Sequence, residues 1–398
     1  MTTTAAESHA PRLRWLIFSI VVIDAVGFGI VIPILPFLSP ALGGDAQDVA
    51  LIMVTYSVAA GLVGPFWGRL SDRIGRRNVL VICLIGAAVA YLEMAHATAL
   101  WQVYLARLMA GFFAGNFPVA TALMADVSTI AQRARSMGLV GAAFGVGLVL
   151  GPLFGGVLSG EDGAWAMPCY FAAVTSMLAA LLSGLLLPAR QHHDSASDGS
   201  QKRLGFAAMM RRDRSGWLIL QFAVHTTAVT SAIYLLPLWS AALLDWGPRE
   251  VGLFFGLVGV AMIVFQGGLV HWLTRRFGLL PVLRTGATVF AVAAIIASGV
   301  DSFWGVVVIG FVAFTGSTVT LPVLNTMASQ VVSTAERGSM MGMTASAGAL
   351  GRVLGPLISS GVLALSGFPG AWVALALILS ALLCWSFLDG RRYGDPRE

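Results

Sequence analysis

A chain of 398 residues that is 57% hydrophobic and only 11% charged, with a mean hydropathy of +0.84, has too few polar side chains to coat a soluble core. Globular domains carry about 25% charged residues, so a soluble enzyme is excluded and the net charge of +5 calls for an explanation other than a nucleic-acid partner. Apolar runs of about 20 residues, the length that crosses a bilayer core, recur along the whole sequence.

In chain order these runs predict twelve helices near 14–37, 48–68, 78–97, 101–125, 136–158, 165–188, 215–243, 250–272, 280–299, 303–328, 340–364 and 370–389. The first run is too long for a secretory signal, contains Asp24 and lacks a small-x-small cleavage site, so it reads as a retained helix. Between the sixth and seventh runs, "PARQHHDSASDGSQKRLG" (188–205) reads as a flexible linker. The expected organisation is therefore an N-terminal six-helix bundle over 1–188, a linker over 189–214 and a C-terminal six-helix bundle over 215–398. His192 and His193 lie in the linker with no further ligands nearby, and no metal site is expected there. Cys83, Cys169 and Cys384 lie in or at the ends of apolar runs without metal-type spacing and read as small packing residues.

Charge placement orients the chain. With the N-terminus inside, all but three of the 24 lysines and arginines fall in cytoplasmic segments. The exceptions are Arg249, outside, and Arg107 and Arg352, within helices. Asp45, Asp48, Glu161 and Asp162 stand in external loops without cations. This is the positive-inside pattern, and it places both termini in the cytoplasm. Helix count, loop lengths and the near absence of lysine suggest a bacterial inner membrane.

The two sets of six repeat. "PVATALMADVSTIAQRARSMG" (118–138) aligns without gaps on "PVLNTMASQVVSTAERGSMMG" (322–342), an offset of 204. The same offset carries "GLVLGPLFGG" (147–156) onto "GRVLGPLISS" (351–360) and Pro33 onto Pro237, while "GRLSDRIG" (68–75) matches "HWLTRRFG" (271–278) at 203. Duplicated halves of parallel topology are a hallmark of secondary transporters, whose substrate sites lie near mid-membrane.

Four motifs carry a resemblance. Gly68-x-x-x-Asp72-Arg73-x-Gly75-Arg76-Arg77, after the second helix, resembles the signature loop of the major facilitator superfamily. "GLVLGPLFGG" resembles the fifth-helix motif associated with that superfamily's antiporters, and Arg107-x-x-x-Gly111 resembles their fourth-helix motif. "DAVGFGIVIPILP" (24–36) is similar to the first helix of the twelve-helix drug:proton antiporters, the tetracycline exporters especially. The resemblance implies an all-α membrane protein of two pseudo-symmetric six-helix bundles that exports small molecules in exchange for protons by alternating access. It implies no enzymatic activity, no catalytic residues, no cofactor and a monomer. The acid that tetracycline exporters carry in the third helix is replaced by Ala90, with Glu93 about one turn onward, and the ninth helix has no acid. Those departures turn the expected substrate away from metal chelates and towards hydrophobic or amphiphilic compounds.

Ionisable groups within spans cost at least about 2.5–3.5 kcal/mol at the bilayer centre, so each needs a reason. Asp24 falls about mid-way along helix 1. Glu93 and Arg107 flank the external turn between helices 3 and 4, each seven residues from position 100. Asp24 is the expected proton carrier, tuned by Arg107, with Glu93 a second carboxylate near the outer mouth. The plainer reading is a static buried ion pair that only orients helices. The repeat places Ala228 opposite Asp24 and Phe311 opposite Arg107, so proton handling is expected in the N-terminal half. The C-terminal half offers Gln221, His225, Tyr234 and Asn325, with Arg352 replacing Leu148 of the repeat, as groups for an amphiphilic ligand. A lone histidine such as His225 is more often a satisfied interior residue, and the imidazole's titration near neutral pH is what keeps it a candidate.

Two sets of residues are expected to act in gating. Gly68, Asp72, Arg73, Gly75, Arg76 and Arg77 form the charged loop, whose Asp72 could accept bonds from a helix amino end or an arginine in the opposite half. Gly147, Gly151, Gly155 and Gly156 give helix 5 a smooth face for close packing, and Pro152 can bend it. Uptake or exchange of a metabolite is the alternative within transport. A non-transporting membrane sensor or assembly factor is the alternative outside it.

Overall fold

The computed structural model describes residues 3–128, 132–160, 163–188, 210–333 and 336–393. All regular elements among them are helices, which satisfy their backbone polar groups within one segment and so suit a chain in hydrocarbon. In order they are α1 Thr3–Ile30, α2 Leu35–Ala41, α3 Ala46–Ile74, α4 Arg76–Ala95, α5 Leu100–Phe112, α6 Asn116–Asp126, α7 Arg133–Ser159 and α8 Ala166–Leu186. There follow α9 Asp213–Leu244, α10 Pro248–Val264, a π-helical turn Phe265–Leu269, α11 Val270–Phe277, α12 Leu279–Ala297, α13 Phe303–Gln330 and α14 Arg337–Tyr393.

Ten of these helical stretches are long and apolar enough to cross a membrane. The difference from the twelve expected has two sources. The runs 340–364 and 370–389 join in α14, where Gly367 alone leaves helical geometry, with φ 68°. The run 250–272 is divided by the π-helical turn, which shortens its continuous α-helix. Prolines account for two further breaks. The chain leaves helix between Ile30 and Leu35, around Pro33. It leaves it again between Phe112 and Asn116, where Pro118 has no N–H for the carbonyl of Ala114 and Trp67 donates its indole N–H to the Phe112 carbonyl at 2.5 Å.

Capping fixes several starts. Asp45 accepts from the amides of Gln47 and Asp48 while Asp48 accepts from the Asp45 amide, closing a capping box at α3. Ser302 caps α13.

Two compact units emerge from the packing. Unit 1 holds residues 1–194 with Gly247–Gly259, and unit 2 holds 195–246 with 260–398. The linker expected at 189–214 lies mostly outside the described residues, as do His192, His193, Glu161 and Asp162. In unit 1, one buried cluster gathers Ile17, Leu80, Leu84, Met124 and Val140, and a second gathers Ile30, Leu38, Ile52, Met94 and Val103. In unit 2, Leu218, Phe222, Leu283, Leu324, Met340 and Leu382 share a cluster. Large apolar side chains also point outward, Leu62, Leu185 and Leu365 each more than three-quarters exposed. Such a surface suits hydrocarbon and not water.

Within unit 1, α7 lies against α1 with almost no side chain between the backbones. A Cβ on Gly151 would stand 2.6 Å from the Gly29 Cα and 2.7 Å from the Val26 carbonyl oxygen. Small-residue faces allow this approach, and van der Waals contact then substitutes for the missing hydrophobic drive between helices in lipid. In unit 2, α14 meets α9 in the same manner but adds hydroxyls. Thr230 donates to the Gly351 carbonyl at 3.0 Å and Ser231 to the Gly355 carbonyl at 3.1 Å.

Candidate functional site

Asp24 is half-buried on α1, inside unit 1. Its carboxylate accepts a hydrogen bond from the Asn116 amide nitrogen at 2.5 Å. Asn116 is the first residue of α6, so the break before α6 is what aims it at Asp24. Its own side-chain oxygen accepts from the Phe117 amide at 3.0 Å, which fixes the orientation of the amide group. Asn116 was not among the expected site residues. An uncharged polar residue in "AGNFP" gives no signal of a partner 92 positions away.

Arg107, on α5, is buried. Its guanidinium carbon lies 4.6 Å from the centroid of the Tyr56 ring on α3, a cation–π contact. Its Nε has no hydrogen-bond partner. Tyr91 on α4 is within electrostatic reach of both Asp24 and Arg107. The ion pairs among the described residues do not join Arg107 to Asp24 or to Glu93. Glu93 is half-buried on α4.

The residues expected to bind substrate lie in unit 2 and differ in accessibility. Gln221 and His225, one helical turn apart on α9, are both buried, and Gln221 Oε1 and His225 Nδ1 have no hydrogen-bond partner among the described residues. Tyr234, further along α9, is fully buried within the helix packing. Asn325 on α13 and Arg352 on α14 are exposed.

The charged loop is built around Arg76, the first residue of α4. Arg76 Nη1 pairs with Asp72 at 2.7 Å and donates to the Ser71 hydroxyl at 2.7 Å. Its Nε reaches Asp126, at the end of α6, at 3.1 Å. Asp126 thus completes a cluster that the spacing of the loop motif alone does not reveal. Gly75 separates α3 from α4 at φ 98°, a conformation that other residues rarely adopt. Arg73 is exposed, Arg77 half-buried, and a side chain at Gly68 would meet nothing within 4 Å.

On α7, Gly147 faces Ala25, Gly151 faces Gly29 and Gly155 faces the Ile30 carbonyl. Pro152 lies inside the helix and touches Gly29. Gly156 faces the other way, towards Gly252 and the carbonyls of Pro248 and Arg249, which is why Gly247–Gly259 groups with unit 1. No set of three or more His, Cys, Asp or Glu that could hold a metal occurs among the described residues.

The chain matches the Major Facilitator Superfamily over residues 17–279 and 251–398. The class C tetracycline resistance protein of Escherichia coli is 30% identical over 389 residues, covering 95% of this chain and 96% of that one. The quinolone resistance protein NorA of Staphylococcus aureus (strain MSSA476) is 26% identical over 343 residues, covering 84% and 85%. Among solved structures, a bacterial homologue of the human lysosomal transporter Spinster, inward-facing and occupied, superposes with a TM-score of 0.79 at 16% identity, over 96% of this chain and 97% of that one. The chain therefore belongs to the Major Facilitator Superfamily, and is a multi-pass membrane transporter of small molecules and not an enzyme.

Proposed function

We propose that this protein exports hydrophobic or amphiphilic small molecules in exchange for protons, by alternating access of two six-helix halves, residues 1–188 and 215–398. The observation that carries the reading is the Asp24 carboxylate, set within a membrane-spanning helix and held by Asn116. A carboxylate in that position is costly unless it serves a pathway. Taking up a proton removes its charge and leaves Asn116 with a neutral partner, so one proton changes the polarity of the bundle at a single point. The relatedness to tetracycline and quinolone resistance proteins supports drugs or drug-like compounds as cargo. In this reading Tyr91 couples Asp24 to Arg107, and Glu93 serves as an outer proton-accepting group.

Gln221, His225, Tyr234, Asn325 and Arg352 are proposed to contribute to substrate handling from unit 2. Of these, Gln221 and His225 have the strongest support, since each is buried with one polar atom, Oε1 and Nδ1, left without a partner. The Asp72–Arg76–Asp126 cluster and the glycine face of α7 are proposed as gating parts, because both order helix ends at close range. The arginine and lysine distribution supports cytoplasmic termini, the scarcity of lysine supports a bacterial inner membrane, and the family relationship supports a monomer.

Everted membrane vesicles loaded with a pH gradient test the reading. The wild-type protein is expected to accumulate a fluorescent amphiphilic drug when the gradient is imposed and to release it when the gradient is collapsed. Asp24→Asn is expected to insert normally and abolish that accumulation. Undiminished gradient-driven accumulation in Asp24→Asn would remove Asp24 from the coupling step.

A further inference from the structure

Arg107 is only 6% exposed, and the ion pairs among the described residues leave it out. Its electrostatic neighbours are Tyr56, Tyr91 and Cys169, none of which is charged at neutral pH in its ordinary state. A ring face compensates a buried guanidinium less completely than a carboxylate or phosphate does. The fork of donors is therefore left with capacity for an anion.

From Tyr56 a row of rings leads away from that cation. Tyr56 stands 5.4 Å from Phe28, Phe28 6.2 Å from Phe144, and Phe144 5.0 Å from Phe117, centroid to centroid. The four come from α3, α1, α7 and α6, all in unit 1. None is buried: three are half-buried and Phe117 is exposed. Asp24 lies one turn before Phe28 on the same face of α1, and Asn116 adjoins Phe117. A face that carries a carboxylate, an amide and a guanidinium is costly against lipid tails, which is the chemistry expected of a substrate path and not of a lipid-facing surface. There is room on it as well, because a side chain at Gly141 or Gly145, flanking Phe144 on α7, would meet nothing within 4 Å.

We propose that this row receives the flat conjugated body of a transported organic anion, whose negative group pairs with Arg107. The proposal rests on the export reading and names the substrate class for it. Rings at these separations offer faces and edges for offset or edge-on stacking of a planar ligand. The guanidinium at one end offers the bidentate geometry that a carboxylate or sulfonate matches. The site lies wholly in unit 1, so its occupancy does not require the residues of α9, α13 or α14.

The test is binding without a gradient, so that its failure is distinguishable from failure of proton coupling in the vesicle assay. Calorimetric titration of the protein in lipid nanodiscs, blanked against empty nanodiscs, compares 4-biphenylcarboxylate with the neutral 4-biphenylcarboxamide. The carboxylate is expected to bind about tenfold more tightly than the amide. Arg107→Gln is expected to erase that preference while leaving amide binding in place, and Arg107→Lys to retain part of it. Phe28→Leu is expected to weaken both probes alike. Equal affinity of the wild-type protein for the two probes, binding of neither at millimolar concentration, or a preference that survives Arg107→Gln overturns the proposal. If Arg107→Gln aggregates on size exclusion, the wild-type comparison and Arg107→Lys still decide it.

Discussion

Asn116 is the residue on which the environment of Asp24 turns. Replacing it with leucine keeps the branch at Cγ but leaves a half-buried carboxylate without its donor, a loss of about 1–3 kcal/mol. Asn116→Leu is expected to lower the unfolding temperature in nanodiscs and to depress gradient-driven efflux, and an unchanged unfolding temperature would show the bond to be dispensable. Asp24 and Arg107 stand out in the sequence because ionisable residues in apolar runs are few. Asn116 and Tyr56 do not, since their roles depend on which helix lies beside them and at what depth. Another residue-scale consequence lies outside the spans, at Glu336. The Ser333 hydroxyl, with the Ser333 amide and the Arg212 pair at 3.0 Å, holds its carboxyl below the usual carboxylate range. A depressed value means the folded state favours the ionised form, so the stabilisation is present at neutral pH and is lost as pH falls through that range. Glu336→Gln is expected to flatten the acid limb of thermal stability against pH, and an unaltered limb would count against the contact.

The helices were legible as apolar runs, but their interruptions were only partly so. Proline is visible in a sequence, yet Pro65, Pro152, Pro237, Pro322 and Pro356 all lie within helices. Pro33 and Pro118 instead coincide with breaks. What differs is the surroundings: at the second break Trp67 fills the space beside Gly115 and takes the Phe112 carbonyl. Glycine shows the same dependence on neighbours, and α7 provides a paired test. Gly151→Ala would press a methyl group into the α1 backbone, and overpacking of this kind costs about 1–3 kcal/mol. Gly145→Ala meets open space and should gain up to about 1 kcal/mol from helix propensity. Thermal unfolding of the two variants in nanodiscs should move in opposite directions, and a parallel shift would refute the close packing of α7 on α1.

Topology at the scale of the whole chain is carried by cations, so removing a single anion should leave it intact. Asp72→Asn takes away one partner of Arg76 while every arginine stays in place. It is expected to reduce efflux without changing the accessibility of a tag at the N-terminus, and unchanged efflux would leave the loop as a topology signal alone. The all-α architecture and the superfamily were readable in repeats and motifs, whereas the two continuous elements Gly367 and the π-helical turn modify were not. That turn has a further meaning. α3 and the stretch from α10 through α11 begin alike, with a carboxylate three residues on accepting from the capping amide, Asp48 from Asp45 and Glu250 from Gly247. They also end alike, at the positive-φ glycines Gly75 and Gly278. Yet α3 holds 29 residues, while its counterpart holds 17, 5 and 8 in its three parts, one more in all. A π-helical turn absorbs a single surplus residue without displacing either end. Phe265–Leu269 thus lets a stretch one residue longer than α3 keep the same kind of start and the same kind of stop.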